Sequence, residues 1–208
     1  MVIQPTRAAG PVVKALRPLL GLISLLLVVA GFGLWAFQAP PPPDKPLQIG
    51  GDFTLISGAG EVVDTAVAFA GRPMLVTFGY TTCPDMCPTS LLDMVMAAEQ
   101  TAVDEAVVFI SIDPARDTPA VLAAFTALFS DELTGFTGSS AAVEAVKSEW
   151  AVYAARHDEA AFTDYLMDHT TLIFLTDADH RVVESFRSGV GADALAQAIS
   201  ARLFSPMG

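Results

Sequence analysis

The chain has 208 residues, of which 23 are acidic and 11 are basic, and 52% of its residues are hydrophobic. This length suggests one domain, alone or with an appendage. All the acidic residues but only eight of the basic ones follow position 43, so the part after it carries a formal charge of about −15. That charge argues against a nucleic-acid-binding protein, because phosphate binding requires a basic surface.

The first feature along the chain is an uncharged apolar run at residues 19–37. As a helix it would be about 28 Å long, close to the hydrocarbon thickness of a bilayer. A cleaved signal peptide is the alternative, but its apolar region is shorter and ends in a small-residue cleavage site that this run lacks. We therefore predict a retained single-pass anchor in a bacterial-type inner membrane. The positive-inside rule places the basic residues 1–18 in the cytoplasm and the domain after the anchor in the periplasm.

A proline-rich linker at 38–46 follows, and a globular domain at 47–208. Proline-rich segments are extended and semi-rigid, so the linker should hold the domain away from the membrane. The domain begins with a β-hairpin, in which strands at 53–56 and 61–63 flank a Ser-Gly-Ala-Gly turn. Apolar spacing predicts the later elements. They are a strand at 74–79, a helix from 88 to about 102, a strand at 106–112, a helix from 119 to about 130, a helix at 139–156, strands at 170–176 and 181–186, and a helix at about 192–203.

This order of elements predicts an α/β fold. Alternating strands and helices imply a parallel sheet with helices on both faces, here closed by an antiparallel hairpin. A cysteine-containing loop after the first parallel strand is typical of a thioredoxin-like fold. In open sheets of this kind, ligands bind at the carboxyl ends of the strands.

The only two cysteines, Cys83 and Cys87, lie at that end of the first parallel strand. Pro88 would interrupt a helix that began at Cys83, so we predict a separate loop at 83–87 with Pro88 as the first helical residue. The spacing is one residue longer than the common redox motif. It favours a metal site, and it leaves a thiol-exchange pair and a structural disulfide open.

His169 is the third candidate ligand. It immediately precedes the predicted strand at 170–176. If that strand neighbours the strand at 74–79, the imidazole lies beside the cysteine loop. Two thiolates and one imidazole make a three-ligand site suited to copper. His157 and His180 are predicted to be ordinary polar residues and not ligands.

Polar residues around these positions are candidates for supporting the site. The segment 113–119 follows the second parallel strand, so it should also face the cysteine loop. Its simplest interpretation is a loop held by ion pairs, with Thr118 capping the next helix. The alternative is a polar support for the site or a contact with a partner. Asp85, Asp168 and Tyr165 are further candidates for orienting the histidine or tuning the thiols.

Three motifs, in order and at compatible spacing, resemble the Sco/SenC family. They are FGYTTCPDMCP at 78–88, SIDPARDTP at 111–119 and DYLMDHT at 164–170, within a resemblance that covers residues 47–205. The resemblance implies a thioredoxin-like fold and a membrane-anchored copper chaperone that is not an enzyme. Such a chaperone delivers copper to the dinuclear site of cytochrome c oxidase subunit II, and its ligands fall on Cys83, Cys87 and His169. Some members are thiol–disulfide reductases of the recipient's cysteines, and in that alternative Cys83 and Cys87 are the catalytic residues.

Overall fold

The structure is a computed structural model, and it describes residues 21–32, 35, 48–84, 86–157 and 165–203. The chain divides into two units, Met1–Leu47 and Gln48–Gly208. In the first unit, residues 21–32 and 35 are helical with exposed side chains.

Within the described part of the chain, no helix has both the length and the apolar character needed to cross a bilayer. The predicted anchor at 19–37 includes positions outside the described residues, and the predicted segments 1–18 and 38–46 lie wholly outside them.

The second unit contains nine strands and five helices among its described residues. In chain order they are β1 (Thr54–Ser57), β2 (Val62–Asp64), α1 (Thr65–Ala68), β3 (Met74–Gly79), α2 (Met86–Gln100), β4 (Ala106–Ser111), α3 (Pro119–Thr126), β5 (Leu133–Thr137), α4 (Ser140–Glu149), β6 (Ala154–His157), β7 (Leu166–His169), β8 (Leu172–Thr176), β9 (Val182–Arg187) and α5 (Ala192–Leu203).

Seven of the strands form one mixed sheet with the order β2-β1-β5-β4-β3-β8-β9. β3, β4 and β5 are parallel, and β1 and β8 join this group in antiparallel pairs. β2 and β9 complete a hairpin at each edge. The predicted N-terminal hairpin is confirmed. The strand near 170–176 pairs with the strand at 74–79, which is the condition under which His169 is expected to lie beside the cysteine loop. β6 and β7 form a separate two-stranded ribbon.

Alternate residues of β3 and β4 pack into two hydrophobic clusters, one on each face of the sheet. Val76 and Val108 belong to a cluster that includes residues of α4. Leu75 and Phe109 belong to a cluster that includes residues of α2, α3 and α5. Successive side chains of a strand point to opposite faces, so every side chain of a strand covered on both faces is buried. Every residue of β3 and β4 is buried, which confirms the predicted three-layer arrangement.

The predicted helix at 139–156 is wrong at its C-terminal end. α4 has Trp150 as its C-cap, and Ala151 then takes a left-handed conformation with φ of 52°. The segment Ala154–His157 forms β6 instead. The apolar spacing continues to Tyr153, and position 151 lacks the glycine that commonly marks a helix end. Periodicity alone therefore extended the helix too far.

The predicted start of α2 is also wrong. The helix begins at Met86, so Cys87 lies within its first turn and not in a separate loop. Pro88 is the third helical residue. The first four N–H groups of a helix have no partner within the helix, so the missing N–H of Pro88 costs no hydrogen bond there.

Besides β6, the short strands β5 and β7 were not predicted, and α3 ends at Thr126 instead of near residue 130. The β5 sequence, LTGFT, has a central glycine that weakens the strand pattern. β7 has only four residues, LMDH, and alternates weakly. Both strands take their conformation from their neighbours in the sheet or ribbon more than from local propensity.

Candidate metal centre

The two thiols lie at the junction between β3 and α2. The chain turns after β3, with the Cys83 backbone N–H donating to the Tyr80 carbonyl oxygen at 3.1 Å. Cys83 is half-buried, Cys87 is buried in the first turn of α2, and neither is in a disulfide. The positive end of a helix dipole stabilises negative charge, so this position suits a metal-bound thiolate.

The third group, His169, comes from the last residue of β7. Its Nε2 atom lies 4.0 Å from Cys87 Sγ. The two sulfur atoms and one ring nitrogen of Cys83, Cys87 and His169 all lie within 4.8 Å of one another. A trigonal metal with bonds of about 2.2 Å would place its ligand atoms roughly 3.8 Å apart. The three groups therefore need only small movements to close on one ion.

The orientation of the His169 ring is fixed by its other nitrogen. Nδ1 lies 2.9 Å from the Thr170 carbonyl oxygen. A carbonyl only accepts hydrogen bonds, so Nδ1 carries the proton and Nε2 keeps its lone pair toward Cys87. The Tyr80 ring packs edge-on against the imidazole, with centroids 5.9 Å apart. A backbone carbonyl and an aromatic ring thus hold the imidazole in the tautomer that a metal requires.

The Cys87 thiol holds its proton more strongly than an ordinary thiol does. Its hydrogen bond with Cys83, followed by burial, raises the pKa of the Cys87 thiol above the usual thiol range. Metal binding would release this proton, because the thiolate is the ligand.

Gly79 makes room for the Cys87 sulfur, a role that the sequence reasoning missed. A Cβ atom at position 79 would lie 2.5 Å from Cys87 Sγ and 2.9 Å from a ring carbon of Phe109. A glycine inside an otherwise apolar strand is a known sign of such a close approach, so the signal was present in the sequence.

The segment 113–119 faces the cysteine loop, as predicted. Thr118 caps α3 by accepting from the Val121 backbone N–H, and Arg116 forms an ion pair with Asp113. Asp117 makes contacts outside its own loop, which a residue engaged only in loop ion pairs would not. Its buried carboxylate accepts hydrogen bonds from Thr81, just before the cysteines.

The acidic and aromatic side chains proposed to orient His169 lie elsewhere. Asp168 is exposed, and one of its oxygens lies 3.9 Å from Nδ1 of His157. The Tyr165 hydroxyl donates to Asp113 at 2.8 Å. The Thr170 carbonyl takes the place at His169 that these residues were predicted to fill. Asp85 lies outside the described residues.

The other two histidines stand apart from this centre. His157 is exposed on β6, three positions along the ribbon from the residue opposite His169. His180 is buried, and its Nε2 donates to the carbonyl oxygens of Phe69 and Arg72 at 3.2 and 3.1 Å. Its Nδ1 contacts the Asp52 carboxylate. His180 therefore connects three segments of the fold, a structural role that its position in a predicted turn did not suggest.

Comparisons with known proteins give a matching family and similar solved structures with copper bound. The family model described as SCO1/SenC matches residues 41–203. The chain is 35% identical over 179 residues to the SCO2-like protein of Rickettsia conorii, covering 79% of this chain and 86% of that protein. Among solved structures, it is similar to Bradyrhizobium japonicum ScoI with copper bound, at 37% identity and a TM-score of 0.67 over 74% of this chain and 99% of the other.

A second solved structure is Arabidopsis thaliana ScoI with copper bound. It has 31% identity and a TM-score of 0.69, over 74% of this chain and 96% of the other. The mixed α/β fold matches the thioredoxin-like fold of these Sco structures, as predicted.

Proposed function

Because this chain belongs to the SCO1/SenC family, we propose that it is a copper chaperone whose ligands are Cys83, Cys87 and His169. The observation that carries the proposal is the convergence of their two sulfur atoms and one ring nitrogen to within 4.8 Å. Two similar solved structures, from B. japonicum and A. thaliana, are ScoI proteins with copper bound.

The donor set favours copper over zinc. Thiolates are soft ligands that suit Cu(I), and a trigonal arrangement of two sulfurs and one nitrogen is acceptable to copper. A structural zinc site needs four protein ligands. Within the described residues, the cluster supplies three.

Three ligands also favour release of the ion. A three-coordinate ion can accept a thiol from a recipient before any bond to the chaperone breaks, so the ion can move by stepwise ligand exchange. We propose the dinuclear copper site of cytochrome c oxidase subunit II as the recipient, with another copper-accepting protein as the alternative. Membership of the family supports this choice.

We further propose that residues 19–37 anchor the protein in a bacterial-type inner membrane, with the globular unit in the periplasm. The uncharged run and the charge asymmetry around it support this orientation. In cells, the full chain should fractionate with membranes and resist extraction at high pH. Protease added to spheroplasts should degrade the acidic unit. A chain that stays intact until the membrane is permeabilised would contradict the orientation.

The decisive experiment titrates Cu(I) into the reduced full chain in detergent, in competition with a coloured Cu(I) chelator. We expect one copper per chain, loss of binding in Cys83→Ser and Cys87→Ser, and affinity lowered on the order of 10-fold or more in His169→Ala. His157→Ala is the matched control, because His157 lies on the same ribbon and should leave the affinity unchanged. Undiminished affinity in His169→Ala would remove that residue from the site.

The same samples test the reductase alternative, which the hydrogen bond between the two reduced thiols of Cys83 and Cys87 favours. A reductase attacks a partner disulfide and passes through a mixed disulfide. If the parent chain takes up no copper but reduces a disulfide substrate, the chaperone proposal fails and the reductase function takes its place.

A further inference from the structure

The loop at residues 113–117, here called the support loop, joins β4 to α3 and contacts both halves of the candidate metal centre. Its contact with the cysteine half is made by Asp117, which is 0% exposed. The carboxylate accepts hydrogen bonds from the Thr81 backbone N–H at 3.1 Å, from Thr81 Oγ1 at 2.6 Å and from Ser111 Oγ at 2.6 Å. A buried carboxylate is tolerated only when it is hydrogen-bonded in this way. The contact fixes Thr81, two residues before Cys83, against the end of β4.

The contact with the histidine half is made by Arg116 and Asp113. Arg116 Nη1 donates to the Tyr165 carbonyl oxygen at 2.9 Å, and the guanidinium lies 3.7 Å from the centroid of the Tyr165 ring. Asp113 pairs with Arg116 and accepts from the Tyr165 hydroxyl. Tyr165 immediately precedes β7, the strand that ends in His169.

Arg116 also contacts the aromatic ring that packs against the imidazole. Its guanidinium lies 5.5 Å from the centroid of the Tyr80 ring, and that ring packs edge-on against His169. A planar guanidinium can stack on rings while it donates to a carboxylate and a carbonyl, and a lysine cannot combine these contacts.

These contacts matter because His169 is not carried by the main sheet. The cysteines follow β3, in the middle of the seven-stranded sheet, whereas His169 belongs to the separate β6–β7 ribbon. Ladder hydrogen bonds join β8, which starts three residues after His169, to β3, but among the described residues none joins β7 itself to the main sheet. Side-chain contacts between the ribbon and the sheet complete the placement of the imidazole, and the support loop supplies such contacts.

We propose that the support loop sets the copper affinity by two separable routes, with Arg116 as the positioning residue for His169 and Asp117 as the positioning residue for the cysteine loop. This inference rests on the proposed copper-binding function and assigns the residues that hold its ligands together. Loss of the Arg116 contacts should weaken the histidine ligand and leave the two sulfur ligands in place.

The test is a double-mutant cycle on the full chain, with Cu(I) affinity measured by chelator competition. Arg116→Met should lower the affinity on the order of 10-fold in the parent. In the His169→Ala background it should lower the affinity less than about 2-fold, because its effect acts through the imidazole. An equal loss in both backgrounds would overturn the assignment of Arg116 to His169.

The cysteine route has its own variants. Asp117→Asn removes the charge that three donors face, and Thr81→Val removes one donor while it keeps the backbone contact and can be used if Asp117→Asn does not fold. Either variant should weaken copper binding by the same factor with and without His169. A loss that vanishes in the His169→Ala background would overturn the separate route through Asp117.

A readout without copper separates this inference from the proposed function. In metal-free chain labelled with 15N-histidine, Arg116→Met should shift the NMR signals of His169 and leave those of His180, which contacts Asp52 in another part of the fold. Unchanged His169 signals would overturn the positioning role. A parent chain that binds no copper would contradict the proposed function and leave this measurement valid.

Discussion

The Cys87 sulfur occupies the space in which residue 79 would carry its Cβ atom, so the position of the buried ligand depends on Gly79. An alanine at this position would bring its methyl group to 2.5 Å from the sulfur, closer than non-bonded atoms can approach. Phe109 closes the other side of the methyl position at 2.9 Å. In Gly79→Ala, the sulfur must therefore move. We expect copper affinity to fall at least 10-fold, on the scale of other changes that displace a ligand, as measured by chelator competition.

Gly135→Ala is the matched control for that prediction. Gly135 is also in the sheet, in β5, but away from the candidate centre. Its methyl group would lie 2.7 Å from the side chain of Leu122. It should lower stability by about 1–3 kcal/mol through overpacking and leave copper stoichiometry and affinity unchanged. If both variants lose copper equally, the effect of Gly79→Ala comes from general destabilisation.

The two thiols should differ in reactivity. Burial leaves Cys87 4% exposed, and its hydrogen bond with Cys83 together with that burial raises its pKa. Each pKa unit lowers the thiolate fraction tenfold at a given pH. We expect iodoacetamide to modify Cys83 at least about tenfold faster than Cys87 at pH 7, measured by peptide mass mapping of the reduced, metal-free chain.

The pH dependence of the alkylation rate tests whether the pKa of Cys87 is raised. A raised pKa keeps Cys87 protonated at pH values where an ordinary thiol has already ionised. Its alkylation rate should therefore continue to rise above pH 9, where the rate of an unperturbed thiol levels off. A Cys87 rate that levels off below pH 9 would contradict the raised pKa.

Ala151 occupies a backbone conformation that favours glycine, with φ of 52° just after the C-cap of α4. An L-residue pays roughly 1 kcal/mol for this conformation, and glycine does not. Ala151→Gly should therefore raise the free energy of unfolding by about 0.5–1 kcal/mol, measured by urea denaturation. Ala145→Gly, at an exposed position within the same helix, should lower it by about 1 kcal/mol. Stabilities that fall in both variants would show that position 151 is not strained.

Glu105 makes the folded state sensitive to pH. It is buried, and desolvation raises the pKa of its carboxyl despite its hydrogen bonds from Thr101. A carboxyl whose pKa is higher in the folded state contributes stability below its unfolded pKa near 4.3 and loses that contribution as pH rises through the folded pKa.

The neutral isostere Glu105→Gln should remove this dependence. Compared with the parent, it should be more stable at pH 7 and gain less or nothing at pH 4, measured by denaturant unfolding at both values. A difference between parent and variant that does not change with pH would contradict the raised pKa.

The candidate ligands could be predicted from the sequence because each one adjoins a strong local signal. Cys83 and Cys87 follow a predominantly apolar strand, and His169 precedes another. The pairing of those two strands then determines that the three side chains meet. Local signals are weaker where the conformation depends on distant partners. The apolar spacing of α4 continues past Ala151, where the helix has already ended, and no glycine marks that point.

The contacts that hold the ligands were harder to predict. Asp117 and Arg116 lie in a loop whose composition is equally consistent with ordinary ion pairing. Their partners, Thr81 and Tyr165, are 36 and 49 residues away in the sequence. Which carboxylate receives which donor depends on the packing of the ribbon against the sheet, and periodicity contains no information about that packing.

The separation of Cys87 and His169 by 82 residues affects the stability of the metal-free protein relative to the loaded one. An ion bound to both would join two segments of the folded protein that are far apart in the sequence. Because the ion binds the folded protein preferentially, the loaded form is the more stable one by mass action. Transfer of the ion to a recipient, as proposed above, would therefore leave the chain in its less stable form. We expect the metal-free protein to open more often than the loaded protein and to be cleaved faster by proteases.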